Sequence, residues 1–444
     1  MRKTTPAGDP RTPGDHRARA RTAAVGGERT VPVPDPIARE YLLLALRLER
    51  HIPGLVDGYF GPADLADMVR SEDTRPPALL REDAAALRER VLAEVAEPAR
   101  RRWLAAQLVA LEAHARGLAG DPLPYPAHVT ACFDFEPSRT DDAVFAAAAG
   151  DLEALLPGDG DPAGRIAAWD ARFTIPADRL RGTIDALLPG FRARAEELFG
   201  LPAGEDLAVS LVRDQPWSGY NWFDGGLRSR VEINTDLPTR AADLVGLLAH
   251  EAYPGHHTEH AWKEAQLVEA EGRLEASVLL INAPECLLSE GLADLGRRFA
   301  VPPADEVDLL VEVYRLAGLP VAADAPAARD AAARQVEISR ALAAVRGVAG
   351  NAALLRHADG APRDEVLAYL RRNLLTTPER AAKRLEFIEH PLWRTYVFVY
   401  FEGERLLRRW LEVVPAAEQA ARFRRLLVEE LTPSMIVEEM SAAG

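Results

Sequence analysis

Residues 239–260 read TRAADLVGLLAHEAYPGHHTEH, a stretch that combines a helical pattern with four histidines. Up to residue 252 its apolar residues recur every three to four positions, which predicts an amphipathic helix. Pro254 and Gly255 then interrupt the pattern, although proline costs about 3 kcal/mol and glycine about 1 kcal/mol relative to alanine inside a helix. Pro254 cannot donate to the carbonyl of residue 250, and Gly255 frees the backbone. We therefore predict a kink or bulge between residues 250 and 256.

The same stretch concentrates residues that bind metals. It holds His250, His256, His257 and His260, four of the ten histidines of the chain. Imidazole is a common ligand of transition metals. His250-Glu251 begins the pattern H-E-x-x-H, in which histidines at i and i+4 bind zinc and the glutamate acts as base. Position 254, where the second histidine would stand, is proline, so the sequence predicts a metal site that departs from this pattern.

Two histidines compete for the second ligand position. On an unbroken helix His256 would lie on a different face from His250, whereas His257 would be nearly cofacial but about 10.5 Å further along the axis. A break in the helix removes both restrictions. We favour His256, because a two-residue insertion in H-E-x-x-H places the second histidine there. His257 remains the alternate ligand and a candidate catalytic donor of a hydrogen bond to the reacting carbonyl.

A third ligand is predicted downstream, in the segment PECLLSEGLADLG that begins at Pro284. Glu290 and Asp294 are four residues apart and therefore share one helical face. We predict that Glu290 binds the metal and that Asp294 accepts the outer N–H of a ligand histidine, which fixes the histidine tautomer. Three protein ligands leave one position open for water or substrate, as in catalytic zinc sites.

The remainder of the chain is patterned mainly as helices rich in Ala, Leu, Glu and Arg, so the predicted fold class is mainly α, with many helices. Between residues 227 and 234 apolar and polar residues alternate, which predicts a half-buried strand. The Val- and Leu-rich run 206–212 could pair with it in a small antiparallel sheet next to the metal-binding helix.

Three regions are predicted along the chain. The first, 1–33, has basic residues among Pro, Gly, Thr and Ala but no hydrophobic segment, which predicts a disordered arm and not a secretory signal. Breaks rich in proline and glycine near 117–127 and 156–164 then separate an N-terminal helical region, 34–160, from a catalytic metallohydrolase region, 161–444.

Composition excludes several classes of function. The 444 residues include 68 acidic and 53 basic side chains, for a net charge of −15, and such a surface repels nucleic acid and anionic lipid. No apolar run approaches the roughly 18 residues of a spanning helix. Cys132 and Cys286 are too far apart in sequence for a C-x-x-C motif. We expect a cytoplasmic protein without nucleic-acid, membrane or obligate protein partners.

His-Glu-Ala-Tyr-Pro-Gly-His-His at 250–257, followed by Ser-Glu-Gly-Leu-Ala at 289–293, resembles the bacterial "domain of unknown function 885" family of presumed zinc peptidases. Its pattern is H-E-x-x-P-G-H-H with a later E-G-W/x-A, and the E-x-x-x-D spacing also matches glutamate-zincins of the thermolysin kind. The resemblance covers roughly residues 205–415. It implies a mostly helical zinc-peptidase-like fold, one bound divalent metal and peptidase-like hydrolysis. Leu292 stands where the family usually has tryptophan, which bears on substrate preference.

The predicted activity is the hydrolysis of a short peptide with Zn²⁺ as the cofactor, although another divalent metal is an alternative. Zinc held by His250, His256 and Glu290 would lower the pKa of water, and Glu251 would take the proton as general base. A metallohydrolase of non-peptide amides or esters would use the same residues. A helical metal-binding or scaffold protein without turnover is the alternative from a different class.

Substrate contacts are predicted from the strand and from a late tyrosine. In zinc peptidases of this class the strand before the metal helix pairs with extended substrate, and the strand that ends at Asn234 has this position. Arg228 and Arg230 on its polar face could clamp a substrate carboxylate, the alternative being solvated arginines. Tyr396 and Tyr400 are one helical turn apart, and we predict that Tyr400 stabilises the oxyanion, with a core aromatic as the alternative.

Overall fold

The protein is mainly α-helical, as predicted. The computed structural model describes residues 35–215 and 217–443, so the predicted arm at 1–33 lies outside the described residues. The helices are α1 (Pro36–Glu49), α2 (Ala63–Ser71), α3 (Pro77–Glu94), α4 (Pro98–Leu118), α5 (Tyr125–Phe133), α6 (Asp142–Leu155), α7 (Pro162–Arg172), α8 (Ala177–Phe199), α9 (Ala241–Glu251), α10 (His256–Lys263), α11 (Pro284–Ala300), α12 (Glu306–Leu316), α13 (Ala325–Ala344), α14 (Val348–His357), α15 (Arg363–Asn373), α16 (Pro378–Glu389), α17 (Trp393–Tyr396), α18 (Val399–Glu412), α19 (Ala416–Val428) and α20 (Pro433–Ala443). The strands are β1 (Val56–Tyr59), β2 (Asp206–Val212), β3 (Gly219–Phe223), β4 (Arg228–Asn234) and β5 (Val278–Leu280).

Helix starts follow local rules of capping. Proline occupies the first turn of many helices, where its missing N–H costs nothing, and Thr377 caps α16 by accepting from the backbone N–H of Arg380. Within the described part of the chain, none of the helices combines the length and apolar composition needed to cross a membrane.

The strands form two small sheets. β1 pairs with β5 antiparallel, and the second sheet has the order β2-β4-β3. The predicted pairing of 206–212 with β4 is confirmed, but the two strands are parallel, so the prediction of an antiparallel sheet is wrong for this pair. The chain reverses twice, once into β3 and once out of it, and β4 therefore runs in the direction of β2 and antiparallel to β3. β4 shows the predicted alternation of buried and exposed residues, beginning at Arg228 because Leu227 lies in the preceding turn with φ 60°.

Three hydrophobic clusters form the core. One joins α1 to α4 with residues near 267–283. A second joins α5 and α6 with α14 to α18, so that Phe145 and Leu385 share a cluster. The third packs α7 to α9 against α11 to α13 and α18 to α20. Apolar contacts thus cross residue 160, and the predicted division into 34–160 and 161–444 stays a prediction.

Helices α11 and α18 cross in direct backbone contact. A Cβ atom at Gly291 would overlap the backbone of Gly403, and one at Gly403 would overlap the carbonyl of Leu287. Only glycine at both positions allows this approach. Further along α11, a Cβ at Gly296 would lie 3.2 Å from the ring of Pro254. These small residues fix where α11 lies relative to α18 and to the turn after α9.

Gly291→Ala should destabilise the protein by about 2–3 kcal/mol, because the added methyl meets backbone that cannot move aside. Gly182→Ala is the matched control: Gly182 lies in α8 with open space around it, so alanine should stabilise that helix by about 0.5–1 kcal/mol. Thermal denaturation of both variants measures the difference. Equal midpoints would show that the α11–α18 contact is not tight.

Candidate metal centre

The helix that carries His250 breaks where the sequence predicts. α9 ends at Glu251 and α10 begins at His256. Between them, Gly255 lies so close to the carbonyl oxygen of His250 that a Cβ atom would overlap it. The break turns His256 back beside His250, and their ring centroids are 4.7 Å apart.

Three predicted ligands meet at this break. One donor atom from each of His250, His256 and Glu290 lies within 4.8 Å of the other two. Nε2 of His250 is 3.5 Å from Oε2 of Glu290, and Nε2 of His256 is 3.7 Å from Oε1 of Glu290. Donors about 2.1 Å from a tetrahedral zinc ion are roughly 3.4 Å apart. The donor types and their spacing therefore fit a metal ion, and the three side chains, 12–20% exposed, can be reached from solvent.

The outer ring nitrogens of both histidines face oxygen atoms. Nδ1 of His250 lies 3.0 Å from Oδ1 of Asp294, the predicted contact. Nδ1 of His256 lies 3.5 Å from Oε2 of Glu259, which also accepts from Ser289 at 2.6 Å. A carboxylate at Nδ1 orients the ring and leaves Nε2 for a metal. The sequence analysis missed Glu259 and Ser289, although Glu259 follows His256 by three residues and so shares its face of α10.

The electrostatic balance of the site favours a cation. Burial lowers the pKa of His250, but hydrogen bonds with Asp294 and Glu290 raise it well above its usual value. Burial raises the pKa of Glu251, the imidazoles of His250 and His256 lower it, and the negative charges of Glu290 and Asp57 raise it, with a net rise. The carboxyl groups of Glu290 and Asp294 thus lie against the two imidazoles, and the repulsion between these carboxylates would be relieved by a bound cation.

His257 does not join this group, which corrects the predictions of an alternate ligand and of a catalytic donor. Its ring is completely buried, with Nδ1 2.8 Å from Oγ of Ser229 and Nε2 2.7 Å from Oε2 of Glu205. Both ring nitrogens are therefore occupied on the side of the turn away from Glu290. The break rotates adjacent residues to opposite sides, so only one of the two histidines can face α11.

Glu205 holds the turn between α9 and α10 through hydrogen bonds. It accepts hydrogen bonds from Tyr253 at 2.7 Å and from Arg192, in addition to its contact with His257. Burial raises the pKa of Glu205, but the hydrogen bonds from His257 and Tyr253 outweigh this effect and lower it to about 2. This carboxylate lies 45 residues before His250 in a loop without a motif, so no sequence signal identified it.

Two of the three predicted substrate-binding residues on β4, Arg230 and Asn234, are engaged within the protein, and the contact predicted for Arg228 stays a prediction. β4 is the central strand, with β2 and β3 on its two edges, and cannot pair with a peptide. Arg230 forms an ion pair with Asp224 at 2.6 Å, Arg228 is exposed on the same face, and the Asn234 side chain donates to the carbonyl of Gln215. The strands at the edges of this sheet are β2 and β3.

β3 lies against the metal-binding helix. Asn221 donates from Nδ2 to the carbonyl oxygen of Glu251 at 2.7 Å. On the opposite face of β3, Tyr220 donates to Asp57 of β1. An alternating strand beside the last turn of α9 could have been found from its aromatic residues, but no strand was predicted between residues 212 and 227.

The two tyrosines have different positions. Tyr396 is buried and donates from its hydroxyl to Oε1 of Glu290 at 2.9 Å. Tyr400 is 40% exposed, and its ring centroid lies 5.2 Å from that of Tyr396. Tyr396 therefore contacts the metal-ligand group directly. Tyr400, the predicted catalytic residue, instead packs against the ring of Tyr396.

Two other groups of possible ligands occur among the described residues. His114, His128 and Cys132 are buried together, but Arg394 donates to Nδ1 of His128 at 3.2 Å, and its positive charge opposes a cation. The other group consists of His256 and Glu259 with His260. Lys263 already neutralises Glu259 at 2.7 Å.

Comparisons with known proteins support the fold and give no function. No family model and no curated protein matches the chain. A solved structure described as a "putative lipoprotein" from Colwellia psychrerythraea is 15% identical, with a TM-score of 0.51 over 85% of this chain and 69% of that one. At this identity the likeness concerns the fold alone. The resemblance to the domain of unknown function 885 family stays a prediction.

Substitution of the two adjacent histidines separates their roles. His256→Ala should abolish stoichiometric zinc binding, because it removes a donor. His257→Gln should keep one zinc per chain while lowering the melting temperature, because Glu205 loses a buried partner. Elemental analysis after dialysis against zinc measures the zinc content of both variants. Thermal denaturation measures the melting temperature of His257→Gln. Loss of zinc in His257→Gln, with zinc kept in His256→Ala, would reverse the assignment.

Proposed function

We propose that the protein is a metal-dependent hydrolase, specifically a zinc peptidase that cleaves short peptides. The observation that carries this proposal is the convergence of His250, His256 and Glu290 at donor spacing next to Glu251, with both histidines oriented by carboxylates. A buried structural histidine satisfies both nitrogens, as His257 does. The Nε2 atoms of His250 and His256 instead face one shared carboxylate, and all three side chains remain accessible to solvent.

Zinc suits this set of two imidazoles and one carboxylate. Bound there, it would polarise the substrate carbonyl and lower the pKa of water toward about 7. Asp294 and Glu259 would hold the imidazole rings in place. Arg346 donates to the second oxygen of Asp294 at 2.8 Å and so holds that carboxylate in turn.

Glu251 is the proposed general base. It is the last residue of α9, adjacent to His250, and its carbonyl is held by Asn221. In this role its carboxylate takes a proton from the attacking water as the new C–O bond forms. The same proton passes to the leaving amine as the C–N bond breaks, so Glu251 ends the cycle ionised.

We place an extended substrate at β3, one of the two edge strands of its sheet. Strand addition at an edge supplies main-chain hydrogen bonds, and a substrate paired with β3 would run past the end of α9. This arrangement favours a peptide over another amide or an ester, since only a peptide repeats the hydrogen-bonding pattern of a strand. Tyr400, open to solvent beside Tyr396, is the proposed contact to the substrate oxyanion.

The proposed substrate partner is a small peptide, with no nucleic-acid, membrane or obligate protein partner. Cytoplasmic location also stays a prediction: the similar Colwellia chain is described as a lipoprotein, and that description belongs to the other protein.

Glu251→Gln should keep zinc and lower kcat by about 100-fold or more, because the base is lost while the ligands remain. Glu290→Ala should lose zinc. Glu402→Gln is the matched control: Glu402 is a buried carboxyl paired with Arg405 outside the group, and its loss should leave zinc content and kcat unchanged.

Zinc content and the hydrolysis of a peptide library together test the proposal. Absence of stoichiometric zinc after reconstitution would contradict a metalloenzyme. Normal turnover in Glu251→Gln would contradict the proposed base.

A further inference from the structure

A wall of aromatic rings leads from Glu290 to the surface. Tyr396, which donates to Glu290, has its ring centroid 5.2 Å from Tyr400 and 5.3 Å from Trp393. Phe387 of α16 then stacks on Trp393 at 5.7 Å and lies 6.1 Å from Tyr400. These four rings, here called the aromatic wall, connect the metal-ligand group to half-buried and exposed positions.

Tyr400 is the ring of the aromatic wall that is most open to solvent. The residue is 40% exposed. Even so, surrounding protein raises the pKa of its hydroxyl, as does the negative charge of Glu290, whereas the positive charge of Arg384 opposes the rise. Tyr400 is thus within electrostatic range of both Glu290 and Arg384.

Arg384 stands at the outer end of the aromatic wall. Its Cζ atom lies 5.8 Å from the centroid of the Phe387 ring, and its side chain is half-buried. Nearby arginines are neutralised: Arg356 and Arg363 share Glu389, and Arg346 pairs with Asp294. Arg384 forms no ion pair with any residue in the described ranges. A guanidinium held against an aromatic face with its N–H groups unpaired is suited to a planar carboxylate.

We propose that Arg384 binds the C-terminal carboxylate of the substrate and that the aromatic wall receives the apolar side chain before it. This inference rests on the proposed peptidase function and specifies its substrate class: short peptides with a free C-terminus and an apolar or aromatic last residue. The proposal places the scissile bond near the C-terminus, because the carboxylate on Arg384 and the carbonyl at the metal-ligand group would belong to the same short peptide. Arg384 is thereby proposed for the contact with the substrate carboxylate that was predicted for Arg228 and Arg230.

The test compares three probes: N-acetyl-glycyl-phenylalanine, its C-terminal amide, and N-acetyl-glycyl-glycine. Binding is measured by calorimetry with metal-free and zinc-loaded protein, and hydrolysis with zinc-loaded protein. The wild type should prefer the free acid of the phenylalanine peptide over its amide by about ten- to a hundredfold, in binding and in kcat/KM. The glycine peptide should bind about tenfold more weakly or worse, because it buries no ring.

Arg384→Ala should reduce the preference for the free acid over the amide, in binding affinity and in kcat/KM, to a ratio near one. Arg384→Lys should keep part of this preference. Lys383→Ala is the matched control, an exposed cation adjacent on α16, and it should leave the ratio at the wild-type value.

The outcomes separate this inference from the proposed function. A wild-type ratio near one, or an unchanged ratio in Arg384→Ala, overturns the role of Arg384 even if peptides are hydrolysed. If no peptide is hydrolysed, the proposed function fails, and the calorimetric ratio in metal-free protein still decides whether Arg384 binds the carboxylate.

Discussion

The close approach of Gly255 to the carbonyl oxygen of His250 is the constraint on which the site depends. A continuous helix would place His250 and His256 on different faces. The break makes them neighbours, and the same rotation sends His257 to the opposite side, where it binds Glu205. One adjacent pair of histidines is thereby divided between a metal-ligand group and a buried anchor. The anchor holds the turn rigid, which matters because metal ligands act only when their geometry is fixed.

A second contact supplies the carboxylate. α11 reaches the break because Gly291 and Gly403 let two helix backbones touch, and because Gly296 packs on the ring of Pro254. Glu290 stands immediately before Gly291, so the glycine contact and the ligand position are set by the same part of α11. The ligands therefore come from helices whose separation is determined by small residues, and not from loops that could move independently.

The sequence predicted the features of the site that depend on residue type and on spacing over a few residues. Pro254 and Gly255 predicted the break, and the spacing of Glu290 and Asp294 predicted two residues that do meet His250. Long-range contacts left no such signal: Glu205 carries no motif, and tertiary packing brings it to His257 and Tyr253. The direction of β2 was mispredicted because alternation marks a strand but not its neighbour. His257 could not be distinguished from His256 until the break fixed which of them faces α11.

Anomalous diffraction at the zinc absorption edge, from crystals grown with zinc, would locate a metal ion bound by these ligands. We expect one strong peak about 2.1 Å from Nε2 of His250, Nε2 of His256 and an oxygen of Glu290. A peak at His257, or at His114 and Cys132 with none at Glu290, would contradict this assignment.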